Sequence, residues 1–138
     1  MLNDPVEQTI IIAENDSMMR GILRSVLVKP RRALKLASDG DEAVQVAAEE
    51  RAALVLLDLK MPRMDGVTAC RLIRTLPGYT KTPIVILTGL PNESQRQAAM
   101  RLGAEFWTKP IAIGELRNKL APLIAKGQCE IDQRAARS

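Results

Sequence analysis

Five short apolar runs alternate along the chain with stretches whose apolar residues recur at helical spacing. Residues 9–13 (TIIIA), 54–57 (LVLL) and 84–87 (IVIL) are almost wholly aliphatic, which suits strands of a parallel sheet covered on both faces. Residues 33–37 place Lys35 in mid-run, and residues 105–108 form the shortest run, so both suit a sheet edge. Between the runs, Met19, Ile22, Leu23, Val26 and Leu27 follow the i, i+3, i+4, i+7 rule of an amphipathic helix. Ala43, Val44, Ala47 and Ala48 mark a second helix after the turn Asp39-Gly40. Val67, Cys70, Leu72, Ile73 and Leu76 mark a third, closed by Pro77-Gly78. Asn92 with Gln95 has the form of a capping box opening a fourth, which Gly103 ends. Leu116, Leu120, Leu123 and Ile124 give the fifth, where Pro122 removes an amide donor and is expected to kink or shorten the helix.

The order βαβαβαβαβα predicts an α/β fold, a doubly wound parallel sheet of five strands with helices on both faces. The periodic part covers residues 8–126. Residues 1–7 read as an N-terminal extension, and residues 127–138, polar and without a period, as a loose C-terminal tail. Too few residues remain after Lys126 for a DNA-binding or catalytic module, so the expectation is a domain that stands alone.

Composition narrows the chemistry. Tyr79, Phe106 and Trp107 are the only aromatic residues, so the core must be aliphatic. The absence of histidine excludes most zinc sites and Ser-His or Cys-His catalysis. Cys70 and Cys129 form no CxxC; Cys70 lies on a helical pattern as a small packing residue, and the pair fits a reducing cytoplasm. No apolar run approaches the roughly eighteen residues that cross a bilayer, and no signal segment opens the chain. The formal charge of +4 is spread among acids, with its densest cluster at Lys29, Arg31 and Arg32. It reads as a solvated surface rather than a direct nucleic-acid site, because no helix-turn-helix or base-stacking aromatic platform accompanies it.

In open α/β sheets ligands bind beyond the carboxyl ends of the strands. Here the first strand runs into Glu14-Asn15-Asp16, the third into Asp58, the fourth into Thr88 and the fifth into Lys109-Pro110. Each residue alone could be a turn former, a cap or a solvated side chain. Together they converge acids, a hydroxyl and an ammonium on one edge. Two acids with an amide carbonyl make a hard oxygen site of the kind Mg²⁺ prefers. Phosphoryl transfer to a carboxylate needs this electrostatic help and little covalent chemistry from the protein.

The segment Asp58-Leu59-Lys60-Met61-Pro62-Arg63-Met64-Asp65-Gly66, with Thr88-Gly89 and Lys109-Pro110, resembles the phosphorylation site of response-regulator receiver domains. The resemblance implies the flavodoxin-like (βα)5 receiver fold and a two-component signalling role. Asp58 would take a phosphoryl group from a phosphohistidine on a sensor histidine kinase or phosphotransfer protein. Glu14, Asn15, Asp58 and the backbone carbonyl of Lys60 would hold Mg²⁺. Lys109 would pair with Asp58 and then with the phosphoryl group, Thr88 would donate its hydroxyl, and Trp107 would be the aromatic switch that follows Thr88. Lys60 and Leu90 occupy positions that tune phosphoaspartate lifetime in the family, and the Lys109–Pro110 bond would be cis. The output would be a surface, formed by the fourth helix, fifth strand and fifth helix, that docks a downstream protein or a second copy on phosphorylation.

The chain departs from the family pattern where neutral Asn15 replaces the second acid of a pair, which implies weaker Mg²⁺ binding; Asp16 lies one residue too late to substitute. Three other readings compete. A receiver-like adaptor without phosphotransfer draws on Asn15. A haloacid-dehalogenase-like phosphatase is disfavoured by Lys60, which stands where those enzymes carry a second acid. A dinucleotide-binding domain is weaker still, since no GxGxxG follows the first strand.

Overall fold

The computed structural model of the protein describes residues 6–137. Most of the extension expected over residues 1–7 therefore lies outside the described residues, as does Ser138. Strands β1 (Gln8–Ala13), β2 (Arg32–Ala37), β3 (Leu54–Asp58), β4 (Ile84–Thr88) and β5 (Glu105–Thr108) alternate with helices α1 (Ser17–Leu27), α2 (Gly40–Glu49), α3 (Gly66–Arg74), α4 (Glu93–Arg101) and α5 (Ile113–Arg137). All strand pairs are parallel, in the order β2-β1-β3-β4-β5. The two runs expected at the edges, β2 and β5, are the edges.

The period-2 alternation of each strand sorts its side chains between two cores. Ile11, Val55, Leu57, Ile84 and Ile86 meet α2, α3 and α4 through Ala43, Ala47, Val67, Cys70, Ile73 and Ala99. Ile10, Ile12, Leu54, Leu56, Val85 and Leu87 meet α1 and α5 through Leu23, Leu27, Leu116, Leu120 and Ile124. Cys70 is fully buried among the first set, as a packing residue should be.

Four helices open on side-chain caps at the same edge of the sheet. Asp16, Asp39, Asp65 and Asn92 accept hydrogen bonds from the backbone amides of Met18, Glu42, Thr68 and Gln95. Each satisfies one of the amides that the first turn of a helix leaves without a partner. At the other edge Arg74 ties two loops together: Nε donates to the Leu102 carbonyl (2.8 Å), Nη1 to Tyr79 (2.7 Å) and Thr82 (2.6 Å), and Nη2 to Gly103 (3.2 Å). Tyr79 is buried, with its hydroxyl donating to the Glu50 carbonyl and accepting from the Ala52 amide.

The fifth helix differs from expectation at its C-terminal end. Residues 127–137 continue α5 rather than forming a loose tail, and Pro122 does not end the helix. Pro122 and Asn118, whose carbonyl loses its donor, are both exposed, so water can serve that carbonyl. Beyond Lys126 the helix is held by polar pairs one turn apart, Gln128 to Asp132 (3.1 Å) and Gln133 to Cys129 (3.4 Å). Gly127 is buried, and a Cβ there would lie 1.7 Å from the Ala53 carbonyl oxygen, so α5 crosses the foot of β3 at a distance only glycine allows.

Candidate functional site

The carboxyl ends of β1, β3, β4 and β5 bring Glu14, Asp58, Thr88 and Lys109 to one edge. The centre of the arrangement is Lys109, whose Nζ lies 2.6 Å from Glu14 Oε1 and 3.7 Å from Asp58 Oδ1. Its backbone is fixed as well: the Lys109 amide donates to the Thr88 carbonyl (2.7 Å), and the following Lys109–Pro110 bond is cis. Asp58 is held at the end of β3 by the Leu59 amide, which bonds the Leu87 carbonyl of β4 (2.9 Å), and by Gly66, whose amide returns to the Leu59 carbonyl (2.8 Å). A Cβ on Gly66 would meet the Asp58 carbonyl oxygen at 2.5 Å, so the loop from Asp58 to α3 closes only around glycine.

The two carboxylates differ in environment. Glu14 is almost fully buried, whereas the Asp58 side chain keeps a 13% exposed surface through which a reactant can reach it. Burial lifts the Glu14 carboxyl to about 7, the neighbouring Asp58 adds to the rise, and Lys109 opposes it. The buried Glu14 carboxyl is thus only partly ionised near neutral pH, although Lys109 stands beside it. Among the described residues no group of three or more acidic, histidine or cysteine side chains forms a metal cluster. Two carboxylates close enough for Lys109 to reach both nevertheless fit a divalent cation that keeps several waters, as Mg²⁺ does, and its charge would relieve Glu14. Asn15 follows Glu14 on the exposed side, and Lys60 is exposed two residues after Asp58.

Three features were not legible in the sequence. Asp16 is committed to capping α1, and its own amide donates to Glu14 Oε2 (3.3 Å), so it orients the buried acid from outside the pocket. Arg20, one turn into α1, donates to the Glu14 carbonyl (3.1 Å). The third is a correction. Thr88 continues the Ile84–Ile86 side of β4 and is buried, with its hydroxyl oxygen accepting from the Leu90 amide (3.0 Å). Trp107 pairs in register with Leu87 and packs on the opposite face with Leu116 and Leu120, where Lys119 Nζ stands 4.4 Å from its ring centre. The aromatic ring on the Thr88 face is Phe106, half-buried and paired in register with Ile86. The coupling of Thr88 to Trp107 expected from the sequence therefore fails by one residue of strand parity.

A doubly wound parallel sheet with acids, threonine and lysine gathered at its carboxyl edge is the architecture of flavodoxin-like signalling domains. A family model for the response regulator receiver domain matches residues 10–121, and the chain belongs to that family. The response regulator MprA of Mycobacterium ulcerans (strain Agy99) is 33% identical over 127 residues, 91% of this chain and 54% of that protein. MprA of Mycobacterium leprae (strain TN) is 33% identical over 118 residues, 85% of this chain and 51% of its own length. The chain thus spans about half the length of these curated relatives. Among solved structures, the chemotaxis protein CheY4 of Vibrio cholerae superposes with a TM-score of 0.76 at 25% identity, covering 84% of this chain and 98% of its own. The receiver domain of the sensor histidine kinase PA1611 from Pseudomonas aeruginosa PAO1, which has a magnesium ion coordinated in its active-site cleft, gives 0.72 at 28% identity, with 86% and 98% covered. Residues 10–121 of the chain are a receiver domain of the two-component signalling type, and a phosphoacceptor role is general to its family. No described helix is long and apolar enough to cross a membrane.

Proposed function

We propose that Asp58 accepts a phosphoryl group from a phosphohistidine of a sensor histidine kinase or phosphotransfer protein, in a Mg²⁺-dependent reaction in the cytoplasm. The observation that carries this reading is the single ammonium of Lys109 set between a buried acid and a partly exposed one. In the transfer, an Asp58 carboxylate oxygen attacks phosphorus, the phosphorus–nitrogen bond of the donor breaks, and its electron pair remains on the imidazole. Glu14, Asp58, the Lys60 carbonyl and Asn15 would hold the metal ion, which supplies the positive charge that lets one anion approach another. Lys109, already within 3.7 Å of Asp58, is placed to pair with an oxygen of the new phosphoryl group. The Thr88 hydroxyl accepts one bond and keeps its own proton to donate.

The phosphoryl group adds charge and acceptor oxygens at the end of β3. Thr88 would follow it, and Phe106, on the same face, would respond to the space Thr88 leaves. The readout would be a change in the surface of α4, β5 and α5, used by a downstream protein or a second copy of the chain. The protein would catalyse only its own phosphorylation and dephosphorylation.

Acetyl phosphate with Mg²⁺, followed by intact mass measurement, tests the reading. A single phosphoryl adduct in the wild type, lost in Asp58→Asn and on chelation, is expected. A stable adduct on Asp58→Asn would remove the assignment. Absence of any adduct in the folded wild type would favour the adaptor reading that Asn15 suggests.

A further inference from the structure

We propose that the groove between α1 and α5, at the end of the molecule away from Asp58, docks an acidic amphipathic helix of a partner protein. Its floor is Val26, Leu27, Leu120, Ala121 and Ile124, and the hollow has a volume of about 270 Å³. Lys29, Arg32 and Arg117 form its rim. Leu27 ends α1, Lys29 follows it, and Gln8 opens β1, so the groove lies at the edge of the sheet opposite the carboxyl ends.

Charge identifies the occupant. Neither residues 17–38 nor residues 116–129 contain an aspartate or glutamate. These two segments build the whole of α1 and most of α5, which pack together. Among the described residues Arg24, Lys29, Arg117 and Lys126 have no acidic partner. Two acids, Glu7 and Asp132, border a separate hollow at the foot that shares Gln8, Lys29 and Arg32. Cations at the end of α1 are ordinary, because the helix dipole favours them there. Arg117 is not explained that way: it lies in the second turn of α5, where the dipole favours acids.

Arg32 holds the base of the groove without an ion pair. Its Nε donates to Gln8 Oε1 (2.6 Å) and its Nη1 to the Leu27 carbonyl (2.8 Å). A partner carboxylate would give this guanidinium a direct ion pair, which Glu7 and Asp132 across the adjoining hollow do not make. The apolar floor between two helices accepts the apolar stripe of a third, while flanking acids meet the rim. Nucleic acid fits less well, since the floor offers no aromatic ring for a base. An anionic membrane fits less well too, because the apolar residues are recessed between the helices.

The surface is remote from the phosphoacceptor, so the inference stands apart from phosphorylation. The test uses the whole chain against a displayed library of helices. Each carries leucine at i, i+3, i+4 and i+7, with Asp, Glu, Lys and Arg randomised at the flanks. Enrichment of Asp and Glu is expected, with an affinity that falls at least tenfold in the double variant Lys29→Glu, Arg117→Glu and in Ala121→Trp, which fills the floor. All three substituted residues are exposed, and circular dichroism checks that each variant folds. Asp58→Asn should bind unchanged. The proposal is overturned if no helix enriches, if enriched helices show no acidic preference or bind the variants equally, or if only duplex DNA or phosphatidylglycerol vesicles are held by these cations.

Discussion

Replacing Glu14 by glutamine should make the metal-free protein more stable at pH 8 and leave it nearly unchanged at pH 5. The native Glu14 carboxyl titrates at about 7 because burial and Asp58 penalise its charge, against 4.5 as its ordinary value. Between those two values the folded state keeps a proton that the unfolded chain has released. Stability therefore falls as pH rises through that window, and the full penalty is present above about pH 7. The span corresponds to at most about 3 kcal/mol, taking 1.36 kcal/mol per pH unit. Glutamine removes that charge at nearly constant volume, but it also removes the partner 2.6 Å from Lys109. The net gain at pH 8 should be about 1–2 kcal/mol, several degrees in Tm for a domain of this size. Urea unfolding followed by far-UV circular dichroism at pH 5, 6, 7 and 8, in the presence of a chelator, reads the difference directly. Adding Mg²⁺ at pH 8 should stabilise the wild type and not the variant. Parallel curves for the two proteins across that range, or a variant less stable at pH 8, would refute the reasoning that Glu14 is buried with its charge under-compensated.

Gly127→Ala should cost roughly 3 kcal/mol or more in urea unfolding, because its methyl would overlap the Ala53 carbonyl; helix propensity alone predicts a gain of about 1 kcal/mol, so the sign decides. Arg74→Ala should cost about 3 kcal/mol by the same assay, and Arg74→Lys should recover less than half, since an ammonium cannot span the carbonyls of Tyr79, Thr82, Leu102 and Gly103. Asn15→Asp should tighten Mg²⁺ binding roughly tenfold, about 1.4 kcal/mol, in isothermal titration, and an unchanged affinity would place residue 15 outside the metal's reach.

The sheet was legible because its central strands are aliphatic on both faces, and Lys35 marked an edge for the physical reason that a cation needs solvent there. Caps announced themselves where Asp or Asn preceded a helical period, as at Asn92. Asp16 stood one residue too late for a ligand, but which amides it serves, as cap of α1 and as donor to Glu14, shows only in the backbone geometry. The end of α5 was hidden because residues 127–137 have no apolar period; a glycine contact with β3 and polar pairs one turn apart hold them instead. In β5 two adjacent aromatic rings made the assignment depend on strand parity, which sequence spacing from Lys109 does not display. The order of chemical groups at the strand ends was readable; their facing was not.

The position of Trp107 changes what light can report about this molecule. The sole indole is sealed against α5, with an ammonium over its face and its Nε1 donating to Glu105 (3.0 Å). Its emission is a gauge of the seam between α5 and the sheet, sensitive to the placing of Lys119, and screened by the sheet itself from Thr88 and Phe106. A spectrum that stays still when Asp58 is modified would mean that this seam has held, whatever happens on the other side. One that shifts would show that the signal had crossed the full thickness of the domain.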